Sequence, residues 1–230
     1  MAKLSFKRHR HKAEVIRQAV WLYFRFSLSL RDVEEILAER GVDVSYEAIR
    51  MWVRKFGSQI ARNLKRQRPA ASPRWHLDEM VCNVGRRRMY LWRAVDDEGE
   101  VLGSSMEKRR DGLTATSFLQ KLLRDQSTKP EVIVTDGLGS YVSAVEALGL
   151  KTLHSPGRLR ENNRVENSHL PIRKRERQMQ LFKSQVSAQR FLSVHAAVYN
   201  TFYTQRHLAS RATMKQFRAT AHQAWRRAVA

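Results

Sequence analysis

The strongest constraint on the fold is a short apolar run, Val-Ile-Val-Thr at residues 132–135, followed directly by Asp136 and Gly137. A short run without a polar face is typical of a strand buried on both faces, as the strands of parallel sheets are. Parallel strands are covered by helices, so this part of the chain is expected to fold as an α/β sheet.

The segments on either side of this run complete the pattern. The predicted strands are residues 74–84, 89–95, 100–107 and 150–153, with a hairpin turn at residues 97–99. The predicted helices are residues 113–124 and 141–148, followed by two helices marked by Phe191 and Trp225. Three antiparallel strands, then a helix, a parallel strand and another helix are the order of a ribonuclease-H-like α/β fold, a mixed sheet with flanking helices.

The N-terminal part of the chain has helical rather than strand periodicity. Ser29 opens a capping box with Asp32, and Ser45 is placed to cap a further helix. Two short helices around a turn that contains Gly41, after a third packing helix, are typical of a helix-turn-helix unit, here residues 29–56. An ordinary helical hairpin would give the same periodicity.

The charge of this region favours DNA binding over a plain hairpin. Residues 1–68 hold 16 Lys and Arg against 7 Asp and Glu. The predicted second helix of the unit, residues 46–56, places basic side chains on its outward face, where a recognition helix contacts the major groove. The predicted DNA-binding residues of this helix and its cap are Ser45, Tyr46, Arg50, Arg54 and Lys55.

Residues 67–73 contain two prolines and small or charged residues, a composition typical of a linker. The sequence therefore predicts three parts. Residues 1–66 form a small all-α helix-turn-helix domain, residues 67–73 connect, and residues 74–230 form the ribonuclease-H-like domain together with basic C-terminal helices.

The overall charge points to a polyanionic partner. The chain has a formal net charge of +21 and a pI of about 11.0. The charge is segregated, because residues 158–230 hold 15 Lys and Arg against 3 acids, whereas residues 69–157 hold 12 of each. A surface that is basic only for solubility would not be divided in this way.

One acid in the basic stretch at residues 158–183 needs an explanation. Glu166 lies among amides and cations that would keep it ionised, and an ionised acid opposes phosphate binding unless it holds a divalent metal ion. Further ligands are expected in the neutral middle segment. Asp78 interrupts the first predicted strand and Asp136 ends the apolar strand, at the edge where α/β sheets place ligands. If these two strands are neighbours, the carboxylates converge on a two-metal site.

Other interpretations of these residues stay open on the sequence alone. Asp136 could cap the helix at residues 141–148, and Glu79 could be the functional acid instead of Asp78. The histidines are more typical of DNA-facing or hydrogen-bonded structural residues than of metal ligands; they are His76, His154, His169 and His207.

The remaining features exclude several classes of protein. Cys82 is the single cysteine, so there is no disulfide framework, and no Cys/His spacing fits a zinc site. The N-terminus is charged, without the apolar run of a signal peptide or membrane span. We expect a soluble, cytoplasmic, nucleoid-associated protein with no membrane partner.

With these residues in place, the chain resembles the DDE transposases of the insertion-sequence-six group, within the retroviral-integrase-like superfamily. The motifs that carry the resemblance are residues 6–10, 19–26, 30–35, 75–79, 90–96, 134–136, 162–169 and 182–184. They extend over nearly the whole chain, and the last two are specific rather than generic.

The resemblance implies that Asp78, Asp136 and Glu166 are the catalytic, metal-binding triad and that two Mg²⁺ ions are the cofactor, with Mn²⁺ as a substitute. It implies binding to terminal inverted repeats and target DNA, assembly as a homo-oligomer around paired ends, 3′-end cleavage followed by strand transfer, and a replicative outcome. The basic residues expected to clamp the DNA backbone are Arg164, Arg173, Lys174, Arg175 and Arg177.

Two other functions are compatible with parts of the sequence. A non-catalytic helix-turn-helix regulator would explain the N-terminal charge, but neither the basic C-terminal third nor the acid in a buried strand. A ribonuclease-H-like nuclease without strand transfer would use the same acids, and it would nick DNA without joining it.

Overall fold

The computed structural model describes residues 3–157, 161–204 and 209–230. The helices of this part are α1 (Ala13–Arg25), α2 (Leu30–Ala38), α3 (Tyr46–Lys65), α4 (Gly112–Asp125), α5 (Gly139–Ala147), α6 (Asn163–Gln178), α7 (Gln185–Phe202) and α8 (Arg211–Ala228). The strands are β1 (Arg74–Val84), β2 (Arg87–Asp96), β3 (Val101–Glu107), β4 (Val132–Thr135) and β5 (His154–Pro156). Contacts divide the chain into two compact units, Met1–Arg68 with Ser193–Ala230, and Pro69–Leu192.

The first unit contains the predicted pair of capped helices. Ser29 Oγ accepts a hydrogen bond from the Asp32 amide at 3.1 Å, and the Ser29 amide donates to the Asp32 carboxylate at 2.7 Å. This reciprocal pair confirms the capping box at the start of α2. Gly41 has a φ of 72° in the turn, and Ser45 Oγ accepts from the Ala48 amide at the start of α3.

Helix α3 is longer than predicted, because it continues past Phe56 to Lys65. Glycine normally weakens a helix interior. Here a Cβ on Gly57 would lie 3.3 Å from Val194 Cγ2 and 3.6 Å from the Phe24 ring, so the missing side chain permits close packing inside this unit.

The C-terminal helix α8 belongs to the same unit. Asn63 Nδ2 on α3 donates to the Ala228 carbonyl at 2.8 Å, and Trp225 is buried. The sequence analysis placed the residues of α8 in the same domain as the sheet, residues 74–230. An apolar helix stripe requires a partner, but its periodicity does not specify which one.

The second unit is built on a five-stranded sheet with the order β3-β2-β1-β4-β5. Strands β1, β2 and β3 are antiparallel neighbours, while β4 runs parallel to both β1 and β5. Helices pack on this mixed sheet, and the all-α segment α1–α3 precedes it. The predicted α/β fold class is confirmed. The apolar strand pairs in parallel with β1, which was the condition for the two aspartates to converge.

One predicted strand is wrong. Residues 150–153 do not extend, because Gly149 adopts a φ of 67° and the Leu150 amide donates to the Val145 carbonyl, which prolongs the turn after α5. A single 3₁₀ turn follows at Lys151–Leu153. The strand begins only at His154, where Ile133 is its partner in β4.

The two sides of β1 have different neighbours. Trp75 and Leu77 point into an apolar core formed with α4 and α5, which we call the α4/α5 side. The alternate residues His76 and Asp78 point to α6, which we call the α6 side. This alternation is the period-two geometry of a strand, and it places consecutive residues of β1 in separate environments.

Within the described residues, the helices all lack the combination of length and apolar character needed to cross a bilayer.

Candidate active site

Three carboxylates meet at the edge of the sheet. The parallel pairing of β1 with β4 ends at His76 and Val134, so Asp78 and Glu79 lie just beyond it, beside the point where Asp136 follows β4. One carboxylate oxygen from each of these three acids lies within 4.8 Å of the others. Carboxylate oxygens are the ligands that hard divalent cations prefer.

Asp78 is held from the α6 side. Its Oδ2 lies 3.0 Å from His169 Nε2, and its side chain retains 17% exposure. Directly across the ladder on β2 is Arg93, which is fully buried. Arg93 Nε donates to Ser168 Oγ at 2.9 Å and Nη1 donates to Ser104 Oγ at 3.1 Å. A buried network therefore fixes the helix and the strand around Asp78.

His169 is a neutral hydrogen-bond donor in this network. Burial lowers its pKa, and the neighbouring Asp78 carboxylate opposes that effect without reversing it. Because the carboxylate can only accept, the Nε2 atom carries the proton. Of the roles that the sequence left open for His169, the structure supports the hydrogen-bonded structural one.

Glu79 lies on the α4/α5 side and is nearly inaccessible, with a side chain that is 1% exposed. Arg110 Nε donates to Glu79 Oε1. Burial raises the pKa of Glu79, while the nearby Tyr141 hydroxyl and the hydrogen bond from Arg110 act in the opposite direction. The pKa of Tyr141 is raised well above its usual value, first by burial and then by the Glu79 charge.

Asp136 is exposed at the end of β4 and does not cap α5. Its Oδ1 accepts from the Leu138 amide at 3.0 Å, in the turn before the helix. The residue in the N-cap position is Leu138, without a side-chain cap. Asp136 is therefore the most exposed of the three acids.

Glu166 is exposed in the first turn of α6 and is not a member of the group of three. His169 is three residues further along α6, and residues at this spacing are neighbours on one helix surface. Since His169 contacts Asp78, Glu166 lies on the side of α6 that faces the acids. Its role as the third ligand stays a prediction.

Comparisons with known proteins show the family of the chain. Residues 72–205 match the DDE-domain family DDE_Tnp_IS240. The transposase for insertion sequence-like element IS431mec of Staphylococcus aureus is 32% identical over 180 residues, which cover 76% of this chain and 80% of that protein. The transposase for insertion sequence element IS257 in transposon Tn4003, also from Staphylococcus aureus, is 31% identical over the same shares. The chain belongs to the DDE transposases of the insertion-sequence-six group.

A solved structure gives a weaker likeness. It is the cryo-EM structure of a simian T-cell lymphotropic virus intasome in complex with PP2A regulatory subunit B56 gamma. The TM-score is 0.43 at 16% identity, and the match covers 69% of this chain and 56% of that chain.

Family membership makes this chain a DNA-processing enzyme of the DDE type and implies the use of a divalent metal. The residues present fit such an ion, because three carboxylates converge and two of them, Asp78 and Asp136, keep access to solvent.

The basic face of the transposase on α6 is smaller than predicted. Arg164, Arg173, Lys174 and Arg177 are exposed. Arg175 is buried, and its guanidinium lies over the Phe191 ring at 5.2 Å from the centroid. Phe191 of α7 covers this side of α6, so Arg175 packs the helix and is not available to phosphate. Residues 158–160 and His207 lie outside the described residues.

Helices α2 and α3 bring together a residue that the sequence analysis did not name, Arg31, and the predicted DNA-binding residue Tyr46. The Tyr46 ring at the start of α3 lies under two guanidiniums, those of Arg31 at 5.2 Å and Arg50 at 5.4 Å. Arg50 also pairs with Glu47 at 2.9 Å. Arg54 is exposed on the same helix, whereas Lys55 Nζ lies 2.9 Å from His9 Nε2.

Arg93 was also missed as a site residue. Its position inside an apolar strand sequence, Leu-Trp-Arg-Ala-Val, was a signal for it, because a cation in a buried strand requires polar partners.

Proposed function

We propose that this transposase binds the terminal inverted repeats of an insertion sequence, exposes a 3′-hydroxyl by hydrolysis and joins that hydroxyl to target DNA. The observation that carries the proposal is the convergence of Asp78 and Asp136 at one sheet edge in a chain of the DDE family. Synapsis of two ends requires more than one copy of the chain, so the proposal includes a homo-oligomer. It also includes a cytoplasmic, nucleoid-associated location.

The residues that would hold the metal are Asp78, Asp136 and Glu166. Two Mg²⁺ ions held there, or Mn²⁺ in their place, would supply activation of the attacking oxygen and stabilisation of the leaving oxygen. Glu79 is a poorer ligand, because one of its oxygens is bonded to Arg110 and its side chain is buried. His169 orients the Asp78 carboxylate as a neutral hydrogen-bond donor.

DNA contacts are proposed for both units. In the proposed helix-turn-helix unit, end recognition is assigned to residues on α3 or at its start. They are Ser45, Tyr46, Arg50, Arg54 and Lys55. On α6, the exposed residues Arg164, Arg173, Lys174 and Arg177 would contact the DNA backbone. Such contacts are sequence-independent and weaken with salt.

A strand-transfer assay tests the reaction. Purified Glu166→Gln protein should bind end DNA as well as the parent, because the change removes one repulsion with phosphate. It should fail to join ends to a supercoiled plasmid in Mg²⁺. Glu131→Gln is the matched control, an exposed glutamate of the same domain away from the acids. A parent protein that nicks the plasmid but never joins DNA would instead be a nuclease, and a parent inactive on both counts would overturn the proposal.

End recognition has its own experiment. Arg50→Ala should weaken binding to the cognate repeat by about 1–3 kcal/mol and relax sequence preference, if Arg50 makes a bidentate base contact. Arg62→Ala, an exposed arginine later on α3, is the control. Equal losses on cognate and scrambled DNA would make Arg50 a phosphate contact.

A further inference from the structure

A polar cavity adjoins the candidate active site on the α6 side of β1. Its volume is about 380 Å³, and its walls include Arg74 and His76 of β1 and Asn163, Arg164 and Asn167 of α6. Pockets of this size accept small organic groups rather than single ions. None of the site residues proposed above, apart from Arg164, contributes to these walls.

The cavity lies beside the proposed metal ligands on both β1 and α6. His76 and Asp78 are two residues apart on the same side of β1, about 7 Å along the strand. On α6, Asn167 directly follows Glu166. A group in the cavity is therefore adjacent to any phosphate held at Asp78. A neighbouring nucleotide of the same DNA strand would occupy this position.

The chemistry of the walls fits the edge of a base better than a phosphate. A phosphate only accepts hydrogen bonds, and cations would be sufficient for it. The walls also contain the carboxylates of Asp97 and Glu161, which oppose phosphate but accept from amino groups. Asn163 and Asn167 are four residues apart on one face of α6 and each offers a donor and an acceptor. Base edges present this mixture of donors and acceptors.

His76 gives a second, independent indication of a ligand. The residue is 3% exposed, and its one polar interaction among the described residues is with the Glu161 backbone, so at least one ring nitrogen has no hydrogen-bond partner there. Buried polar groups in folded proteins nearly always have a partner. A base in the cavity would provide one.

We propose that this cavity receives an unpaired nucleobase from the DNA end, next to the phosphate that is cleaved. The inference rests on the proposed function, because it takes the DNA end as the substrate. Removing a base from a duplex costs unpairing and unstacking energy, so DNA in which that base has already lost its partner is bound more tightly.

The experiment uses the full chain carrying Asp136→Asn, so that DNA is bound without being consumed. The probes are duplexes of the terminal repeats that flank the gene, in which one base at a time around the cleavage site faces an abasic position. At one of these positions, the opened duplex should bind at least about tenfold more tightly than the paired duplex. A 2-aminopurine at the same position should increase in fluorescence on binding, since it leaves the base stack.

Further variants distinguish binding of a base in the cavity from binding of a phosphate. Adding Asn163→Ala and Asn167→Ala should bring the ratio between opened and paired DNA close to one, because nothing then holds the base outside the duplex. Asn83→Ala, an exposed asparagine at the far end of β1, should keep the ratio. Both α6 asparagines are exposed, so these variants should fold, and a thermal melt checks this.

Three results would overturn the proposal. These are a ratio near one at every position, a ratio that survives the two asparagine substitutions, and an equal loss on all duplexes, which would indicate a phosphate subsite. A protein that shows the ratio but never joins DNA would keep the base pocket and lose the proposed reaction. Absence of binding to the repeats would remove both.

Discussion

Asp78 and Glu79 are adjacent in sequence but lie in opposite environments. Asp78 is on the α6 side, where it is partly exposed and hydrogen-bonded to a neutral histidine. Glu79 is on the α4/α5 side, where it is buried beside Tyr141 and bonded to Arg110. Both carboxylates come close to Asp136, so proximity to the sheet edge does not distinguish them.

The difference shows what a carboxylate needs in order to bind a metal. The ion has to reach the carboxylate, and the carboxylate has to be ionised without a cation already occupying it. On the α6 side, Asp78 is partly exposed and its partner is a neutral histidine instead of a cation. On the α4/α5 side, burial raises the pKa of Glu79 and Arg110 occupies one oxygen, so we assign Glu79 to support of the fold.

The strongest way to break this comparison is to neutralise each acid in turn. Asp78→Asn should reduce strand transfer by about 10⁴-fold, because it removes a ligand from a site that acts as a unit. Glu79→Gln should leave strand transfer within about tenfold of the parent, because we propose that Glu79 supports the fold and does not bind the metal. An equally deep loss for Glu79→Gln in a folded protein would make Glu79 a ligand.

Cys82 tests how far along β1 the polar character of the α6 side extends. Burial raises the pKa of this thiol from 9.0 to about 12. The thiolate fraction at pH 8 is then about 10³-fold below that of an ordinary cysteine, and alkylation should be slower by at least this factor. Iodoacetamide labelling, followed by mass spectrometry with and without denaturant, measures it. Rapid labelling of the native protein would show that the α6 side opens at this end.

His169 tests whether the α6 side positions Asp78 for metal or only packs. His169→Ala should raise the Mg²⁺ concentration for half-maximal joining by about 10–100-fold, because outer-shell partners orient the ligand. His169→Gln keeps an N–H donor and should fall between the alanine variant and the parent. A calorimetric titration with Mn²⁺ gives a readout that is independent of joining. A lower melting temperature with an unchanged metal requirement would leave His169 a packing role alone.

The smallest effect concerns a second buried acid on the α4/α5 side. Asp96 is the cross-strand partner of Trp75 and is 1% exposed; burial raises its pKa, and hydrogen bonds from the Glu100 and Ser72 amides oppose this. Between the unfolded pKa and this higher value, the native state binds more protons than the unfolded state. Stability due to Asp96 should therefore fall as pH rises through that window, by at most about 1.4 kcal/mol per pH unit.

Urea unfolding of the parent and Asp96→Asn across acidic pH measures the difference in unfolding free energy. The difference should shrink as pH rises above 3.8, the ordinary value for this group. If the difference grows instead, the two amide hydrogen bonds lower the pKa of Asp96 by more than burial raises it. The contrast between the two sides of the sheet would then not hold for this acid.

Local patterns were enough for much of the fold. Ser29 and Asp32 satisfy each other within one helical turn, so the capping box was readable without any distant contact. The apolar run at residues 132–135 indicated a parallel strand inside a sheet, and it lies between β1 and β5 and runs parallel to both. By contrast, Gly57 does not end α3, because its effect depends on Phe24 and Val194, which are distant in sequence.

The sequence by itself determined which side chains could hold a metal and which surfaces are basic, because residue chemistry and strand or helix period are local properties. Only the tertiary structure decided which carboxylate is buried, that Arg175 faces inward while Arg173 does not, and that α8 packs with α3. These outcomes depend on which distant element covers each face. Desolvation by that element, rather than the residue type, sets whether a charged side chain is available for chemistry.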